Sequence, residues 1–588
     1  MKEKKVSFGR VFWPSLTASI VILVIIGIVL SLIIGSLIGD TPQYTVGNKA
    51  VLHMKLKGDI GETSKSGING NSLSFIDEFG LADILYGLEK ASKDDRIKGV
   101  FIELEGANCG YATAKEIRDA INRFEEAGKF AVAYNSGEAV TLKQYYIASA
   151  ADENYGFPSS MFEFLGLGAE LMFYKGMFDK LDLEMQVVRG SDNHFKSAVE
   201  PYFLTEMSDS SRLQTERYLN SIWNDVRSGI GEEKDIDIAT LDMYADSGMI
   251  RRVNQAEEYG LIDKAMYRDE VMSIIAEKAG VENTEDLNLK EFKKYAQKKF
   301  QNNQKIADGK KANVAVIVAE GAVMVEGEGL SSKKITKLFR DARKDKNIKT
   351  IVFRINSPGG SALASDEIWR EVKLANEEKN VVVSMGDVAA SGGYYIASPA
   401  SKIFAETNTI TGSIGVFGVI PYTGKMLENK LGLSFDQVST NKHAVLSTNE
   451  KLSEQEYAMV QEEVDFIYDQ FLGRVAEGRG MTKEQVNVIA RGRVWTGKDA
   501  KKIGLVDELG GLKSAIDYAA EEAGIENAIV QYFPKVKKEP WMELLESIEE
   551  QDKSQSSLPE DLGKLYQRIK SIENYTGIQA RLPYEIIW

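Results

Sequence analysis

The chain has 588 residues, 43% hydrophobic and 27% charged, a globular composition with room for two to four domains. Its formal net charge of -15 argues against nucleic acid as the main partner, because binding phosphates needs basic patches. A single cysteine, Cys109, excludes an intrachain disulfide framework and a multi-cysteine zinc site, and three histidines (His53, His194, His443) leave little for metal or Ser-His chemistry.

The N-terminus carries Lys2, Lys4, Lys5 and Arg10, then an apolar run from Leu16 to Ile38 broken only by Thr, Ser and Gly. That run matches the roughly 20 residues a bilayer crossing needs. The basic flank puts the N-terminus in the cytoplasm. The run is long for the apolar stretch of a cleaved leader, and no small-residue cleavage site follows it. The expectation is a cytoplasmic basic segment at 1–15, an uncleaved transmembrane signal anchor at 16–38, and the remainder outside the cytoplasm. A buried core helix is the alternative, but the run is apolar around its whole circumference.

Val51 to Lys57 alternates like a strand and Gly58 punctuates it. Phe75 to Ala91 has helical spacing, Ile97 to Leu104 reads as a strand, and Glu105 to Gly110 as a loop. A helix over 112–127 and a strand over 130–134 follow. Alternating strands and helices predict βαβ units and a mainly parallel sheet. About 250 residues on, the pattern recurs. Val314 to Gly321 resembles the first strand, Ile348 to Phe353 answers Ile97 to Ile102, and Tyr395-Ile-Ala-Ser398 answers Tyr146-Ile-Ala-Ser149. Leu431-Gly-Leu433 answers Leu181-Asp-Leu183, and from Ile348 onward the offsets stay between 249 and 251. This is a tandem duplication. The expected division is a first repeat at 46–290, a Lys- and Gln-rich solvated helix and linker at 291–311, a second repeat at 312–533 and a tail at 534–588. The tail, with Asp552 to Ser557, reads as partly disordered with an amphipathic segment at 562–572.

Val381-Val382-Val383 leads into Gly386-Asp-Val-Ala-Ala-Ser391-Gly392-Gly393-Tyr394-Tyr395, and Tyr395 to Ser398 is helix-compatible. A strand, tight turn and helix can present a serine beside free amides, a nucleophile with half an oxyanion hole. A small-residue turn before a packed helix is the plain alternative. In the first repeat the position of Ser391 is Leu142, and the Asn356-Ser-Pro-Gly359-Gly360 loop corresponds to bulkier Glu105 to Cys109. The difference favours chemistry in the second repeat. Ser391 would need a proton acceptor. Asp387 is a candidate base or a cap for the following helix; His194 and His443 occupy matching places in the two repeats, each just after a strand. Lys196, flanked by Phe195 and Val199, is a further candidate if burial lowers its pKa.

Taken together, the anchor, the duplication, the Asn-Ser-Pro-Gly-Gly loop, the Ser391 turn and Phe195-Lys-Ser-Ala-Val-Glu-Pro201 resemble the long, duplicated form of the signal peptide peptidase A family, peptidase family S49. The resemblance runs from the anchor to about residue 530. It implies an α/β fold of tandem crotonase/Clp-protease-like domains behind the transmembrane helix. It implies a serine endopeptidase with Ser391 as nucleophile and Lys196 as general base, one from each repeat, and the Gly392 and Gly360 amides as oxyanion donors, with Gly359 as the alternative to Gly360. It further implies a homotetramer at the inner membrane with its sites on the periplasmic side, and cleaved signal peptides as substrates. No metal, nucleotide or other cofactor is expected, and activity should rise at alkaline pH. His194 before Phe195 departs from the family pattern. The competing readings are a non-catalytic membrane-anchored oligomeric scaffold and an acyl-CoA-processing relative on the crotonase scaffold.

Overall fold

The computed structural model describes residues 45–68, 75–300, 311–327, 329–534 and 577–581. The chain forms two units, one of residues 48–536 with 558–588 and the other of 1–47 with 537–557. Of the second, only residues 45–47 are among those described. The predicted anchor and the amphipathic segment at 562–572 lie outside the described residues. No helix among the described residues is long and apolar enough to cross a membrane.

The first repeat is built on a parallel sheet of β1 (Ala50–Asp59), β2 (Ile97–Asn108), β3 (Phe130–Asn135), β4 (Glu153–Gly156) and β5 (Leu289–Glu291), in the order β4-β3-β2-β1-β5, with Lys264–Ala265 at the β4 edge. The central β2 and β3 are largely buried, as expected of strands covered on both faces, while β1 alternates buried and exposed residues from His53 onward. The helices α1 (Leu81–Ser92), α2 (Tyr111–Glu126) and α3 (Leu142–Ala148) connect these strands. Phe75–Glu78 is not helical as predicted. It pairs antiparallel with Lys65–Ile68, and the helix begins only after Gly80, whose backbone is extended. Gly80 has no room for a Cβ against the Thr63 backbone, so the chain turns there. The predicted solvated helix after Glu291 is α4 (Phe292–Phe300), and it is half buried: Phe292, Tyr295 and Ala296 are in the core. Residues 301–310 lie outside the described set.

The second repeat repeats the order. Its eight-stranded sheet contains the run β10-β9-β7-β6-β11, where β6 is Val314–Glu320, β7 Thr350–Ser357, β9 Val381–Ala390, β10 Lys402–Ala405 and β11 Val530–Phe533; Ile410–Gly412 also pairs with β9 and in turn with Val494–Thr496, and Glu508–Leu509 pairs with β10. The three-residue β8 (Gly359–Ser361) follows β7 outside this sheet. Helix α5 (Ala362–Glu378) links β8 to β9, and α6 (Gly392–Ala397) follows β9. The tandem architecture therefore extends from sequence spacing to strand order.

A further sheet spans both repeats. It joins Val323–Met324, β8, a strand of the first repeat (Glu184–Arg189) and a strand of the second (Phe417–Tyr422). Its central member is Gly577–Arg581, from the predicted tail. The second-repeat segment after Leu433 was expected to be a strand like Glu184–Arg189. It is not one in this chain, and 431–440 is exposed throughout. A strand needs a partner edge, and none of the described strands supplies one there.

Candidate active site

Strand β9 delivers Ser391. It pairs with β7 in register until Ile355 opposite Met385, then resumes at Ser357 opposite Ala389, so one residue faces three. The bulge lifts Gly386, Asp387 and Val388 away from the ladder. The Asn356 side chain fills it, accepting from the Val388 amide at 3.1 Å. Ser391 then sits at φ 54°, ψ -118°, a strained conformation for a residue with a Cβ, and α6 starts at once. Two backbone bonds fix the turn: the Ser391 amide to the Gly412 carbonyl, and the Tyr395 amide to the Ser391 carbonyl, both 2.8 Å. Gly393 is required because a Cβ there would lie 2.6 Å from the Ser357 carbonyl oxygen.

Lys196 comes from the first repeat and reaches this turn. Its Nζ lies 2.8 Å from Ser391 Oγ, 2.9 Å from the Ser413 carbonyl oxygen and 3.0 Å from Ser413 Oγ. Lys196, Ser391 and Ser413 are all fully buried. Burial alone holds the amine well below the ordinary lysine range. A neutral amine has two N–H donors and one lone pair. Donating both to the two Ser413 oxygens leaves the lone pair facing the Ser391 hydroxyl. Ser413 Oγ in turn donates to the Gly492 carbonyl at 3.4 Å.

The second repeat also clamps the backbone of Lys196. The Phe195 amide donates to the Arg491 carbonyl at 2.9 Å, and Asn193 Nδ2 donates to the Val416 carbonyl at 3.1 Å. Gly492, at φ 78°, has its Cα so close that a Cβ would fall 2.6 Å from Lys196 N and Cβ. Gln214 donates to the Phe195 carbonyl and Ser197 Oγ from below, at 3.1 and 2.7 Å.

The other candidates stand elsewhere. Asp387 neither bonds Ser391 nor caps α6. It caps α2 of the other repeat, accepting from Gly110 N at 3.3 Å, Thr113 N at 2.8 Å and Thr113 Oγ1 at 2.7 Å. The bulge points Asp387 across the repeat boundary, where α2 has amides to satisfy. His194 is exposed, and His443 bonds Glu456 at 3.2 Å; neither hydrogen-bonds Ser391. Gly360 is buried in β8, where a Cβ would strike the Val323 backbone. The Gly359 amide donates to Ser357 Oγ at 3.2 Å, and Gly360 is paired with Val323 on one side and Ala580 on the other. Gly392 is the first residue of α6, with its amide at the helix N-terminus. Among the described residues no cluster of His, Cys, Asp and Glu could hold a metal ion.

Ser413 escaped the sequence reading, although a signal existed. At the same 249-residue offset its first-repeat counterpart is Phe164, the same kind of contrast that marked Ser391 against Leu142.

A second polar cluster ties the repeats together beneath the site. Arg354 on β7 is fully buried and donates to Glu62 at 2.7 Å, Glu116 at 2.6 Å, Ser384 Oγ at 2.9 Å and the Met385 carbonyl at 3.2 Å. Burial pushes the Glu62 carboxyl up to about 7, with Arg354 offsetting part of the rise, and it also raises Glu116. Both carboxylates belong to the first repeat and the guanidinium to the second. Removing one partner of such a cluster leaves an uncompensated buried charge.

The model of peptidase family S49 matches residues 123–282 and 373–526, one stretch in each repeat. A protein named Serine protease SPPA, chloroplastic, from Arabidopsis thaliana is 34% identical over 495 residues, covering 82% of this chain and 71% of that protein. Protease 4 of Haemophilus influenzae is 33% identical, covering 75% of this chain and 72% of that protein. A solved structure of a ClpP1 mutant from Listeria monocytogenes matches 37% of this chain and 97% of its own, at 18% identity and a TM-score of 0.25, too slight a likeness to carry an argument. With both repeats matched by one family model and relatives aligned over most of their length, this chain belongs to peptidase family S49.

Proposed function

We propose that this chain is a membrane-anchored serine endopeptidase that degrades cleaved signal peptides with a Ser-Lys dyad. The observation that carries the reading is the 2.8 Å approach of Lys196 Nζ to Ser391 Oγ in a fully buried site with no carboxylate among the groups that shift the amine. Neutral Lys196 takes the Ser391 proton as Oγ attacks a peptide carbonyl. The Gly392 and Gly360 amides stabilise the oxyanion, each contributing about 3–4 kcal/mol in comparable sites. Lys196 then gives its proton to the leaving amine, and water hydrolyses the acyl-enzyme. Ser413 fixes the amine, so that one lone pair faces one hydroxyl.

Substrates on this reading are extended, apolar peptides at the outer face of the inner membrane, with the Leu16–Ile38 segment as the anchor. Assembly follows from the duplication. Within the chain, Glu184–Arg189 pairs antiparallel with Phe417–Tyr422. The counterparts of those two strands, 434–439 and 168–173, pair with nothing among the described residues, and Val438 is 95% exposed. Seating 434–439 of one copy on 168–173 of the next repeats the internal contact head to tail. A head-to-tail contact closes into a ring where its rotation divides a full turn, and the homotetramer that the family resemblance implies would be such a ring.

The test is cleavage of a labelled apolar signal-peptide fragment by the purified full-length chain. Cleavage lost in both Ser391→Ala and Lys196→Ala supports the dyad. Unchanged cleavage in Lys196→Ala sinks it, and no cleavage by the unaltered chain moves the reading to a scaffold.

A further inference from the structure

Helix α2 of the first repeat and helix α5 of the second start at the same register, Gly110 answering Ser361 and Thr113 answering Ala364 at an offset of 251. They are capped differently. Ser361 caps its own helix, its Oγ accepting from the Ala364 amide at 3.3 Å. Gly110 has no side chain to do so, and α2 takes its cap from the other repeat: the buried Asp387 carboxylate accepts from Gly110 N, Thr113 N and Thr113 Oγ1. A Cβ at Gly110 would lie 2.1 Å from Asp387 Cγ and Oδ1, so the glycine leaves open the place that the carboxylate fills. Serine is among the best residues for a helix start, and α5 shows that this fold accepts one there. Helix stability alone therefore does not call for the arrangement at α2.

The reciprocal position marks what the arrangement serves. Asp387 precedes Val388, which pairs with Ile410; Glu138 precedes Ala139, which pairs with Met161, and both pairings keep an offset of 249. Glu138 is thus the first-repeat counterpart of Asp387. It is exposed and stands before Leu142, where no nucleophile has to be placed. The buried carboxylate crosses the boundary from the repeat that carries Ser391.

The link acts on the bulge of β9. Within the second repeat, Thr409 Oγ1 donates to the Gly386 carbonyl at 2.8 Å and the Val388 amide donates to Asn356 Oδ1 at 3.1 Å. Asp387, between them, is held from the first repeat. A bulge re-aims the side chains beside it. The strained turn at Ser391 persists only where its surroundings over-determine it. Ser391 and Lys196 come from different repeats, so the turn has to be in register with the repeat that brings the amine. We propose that Asp387 is a positioning residue: its three bonds to the start of α2 register the Ser391 turn against the first repeat, so that docking of the repeats sets the distance between hydroxyl and amine. The proposal rests on the peptidase reading for its kinetic consequence, while the tie itself has a structural readout of its own.

The experiment separates capping from positioning by supplying the cap another way. Full-length Asp387→Ala and Asp387→Ala/Gly110→Ser are compared with the unaltered chain. The serine gives α2 the kind of cap that Ser361 gives α5, without a bond to β9. Asp387→Ala should lower the melting temperature and lower kcat for the labelled signal-peptide fragment about 10²-fold with KM unchanged, the size expected of a small misplacement. Adding Gly110→Ser should return the melting temperature and leave kcat low. Amide hydrogen exchange should quicken over 386–395 in both variants, and over 111–126 only in the single one. Recovery of kcat together with the melting temperature, or an unchanged kcat in Asp387→Ala, overturns the proposal. Should Asp387→Ala not fold, Thr113→Val removes one of the three bonds from the first-repeat side and leaves β9 intact. It should lower kcat about three- to tenfold with KM unchanged, and no loss there overturns the proposal. No cleavage by the unaltered chain sinks the peptidase reading alone. The exchange pattern then decides the tie: faster exchange over 386–395 in the double variant supports it, and unchanged exchange overturns it.

Discussion

The same turn occurs twice in this chain and does two different things. In the first repeat, Thr141 caps α3 at φ -75°, its side chain accepts from Gln144 N, and a capping box closes the helix start. Leu142 is the first helical residue. In the second repeat, Ser391 stands at the register position of Leu142 but lies outside the helix at φ 54°, and its side chain makes no cap. It reaches Lys196 instead. The first turn uses its hydroxyl to satisfy a helix; the second withholds the hydroxyl from that role and accepts backbone strain of roughly 1–3 kcal/mol. Lys196 is asymmetric too: by the His194–His443 register its counterpart is Val445. Two repeats hold one Ser–Lys contact, and the residues at the reciprocal positions are Leu142 and Val445.

The largest expected effects fall on Ser391 and Lys196. Ser391→Ala should lower kcat/KM for peptide cleavage by at least about 10⁴-fold, and Lys196→Ala by about 10²–10⁴-fold, the range for a lost general base. In the unaltered chain the rate should rise with pH through one ionisation well below the ordinary lysine value, because the lowered Lys196 must be neutral to act; a flat pH–rate profile would separate Lys196 from the proton transfer. The open edges come next. Gln437→Pro should reduce the native mass from a ring to a single chain, read by light scattering, while Gln186→Pro, on the strand already paired internally, should first lower the melting temperature.

Gly492→Ala should cost about 10²-fold in kcat, since a Cβ there displaces Lys196 and small misplacements have effects of that size. Gly415 beside it packs on Gly492, so the same loss with a normal KM would mark the clamp as positional. A smaller effect concerns the Glu62–Arg354–Glu116 cluster. The folded Glu62 carboxyl titrates near 7 against an ordinary 4.5, so the folded state holds the proton longer. Stability from this group is therefore present at low pH and lost as pH rises from about 4.5 to about 7, by an amount on the order of 1–3 kcal/mol. Glu62→Gln should flatten that slope in melting temperature against pH; an unchanged slope would assign the titration to another group. The smallest effect is the most telling. Leu142→Ser should add no activity to the Ser391→Ala chain, because Val445 stands at the lysine's register position and the turn at Leu142 is an ordinary helix cap.

Much of the site was legible from the residues because it is local. The small-residue turn at Ser391, the loop before Gly360 and the first-repeat contrast at Leu142 are all visible at fixed spacing. Ser413 was legible by the same contrast with Phe164. Asp387 was not, because its partners Gly110 and Thr113 lie 277 and 274 residues away and only the bulge in β9 points it at them. The strand at Gly577–Arg581 was not legible either. A five-residue stretch has too little pattern to read, and its conformation is imposed by the two edges it bridges.

The choice of Lys196 over Asp387, His194 and His443 came from the family resemblance; what the residues themselves fix is the duplication, the alternating elements and the small-residue turn at Ser391. These depend on spacing and residue type, which the chain carries linearly. The fold alone brings Lys196 Nζ to 2.8 Å from Ser391 Oγ, sets both Ser413 oxygens within 3.0 Å of the same amine, and buries that amine so that its proton affinity falls. Those facts come from desolvation and hydrogen-bond geometry between segments 195 to 217 residues apart, and no linear pattern encodes a distance across the fold.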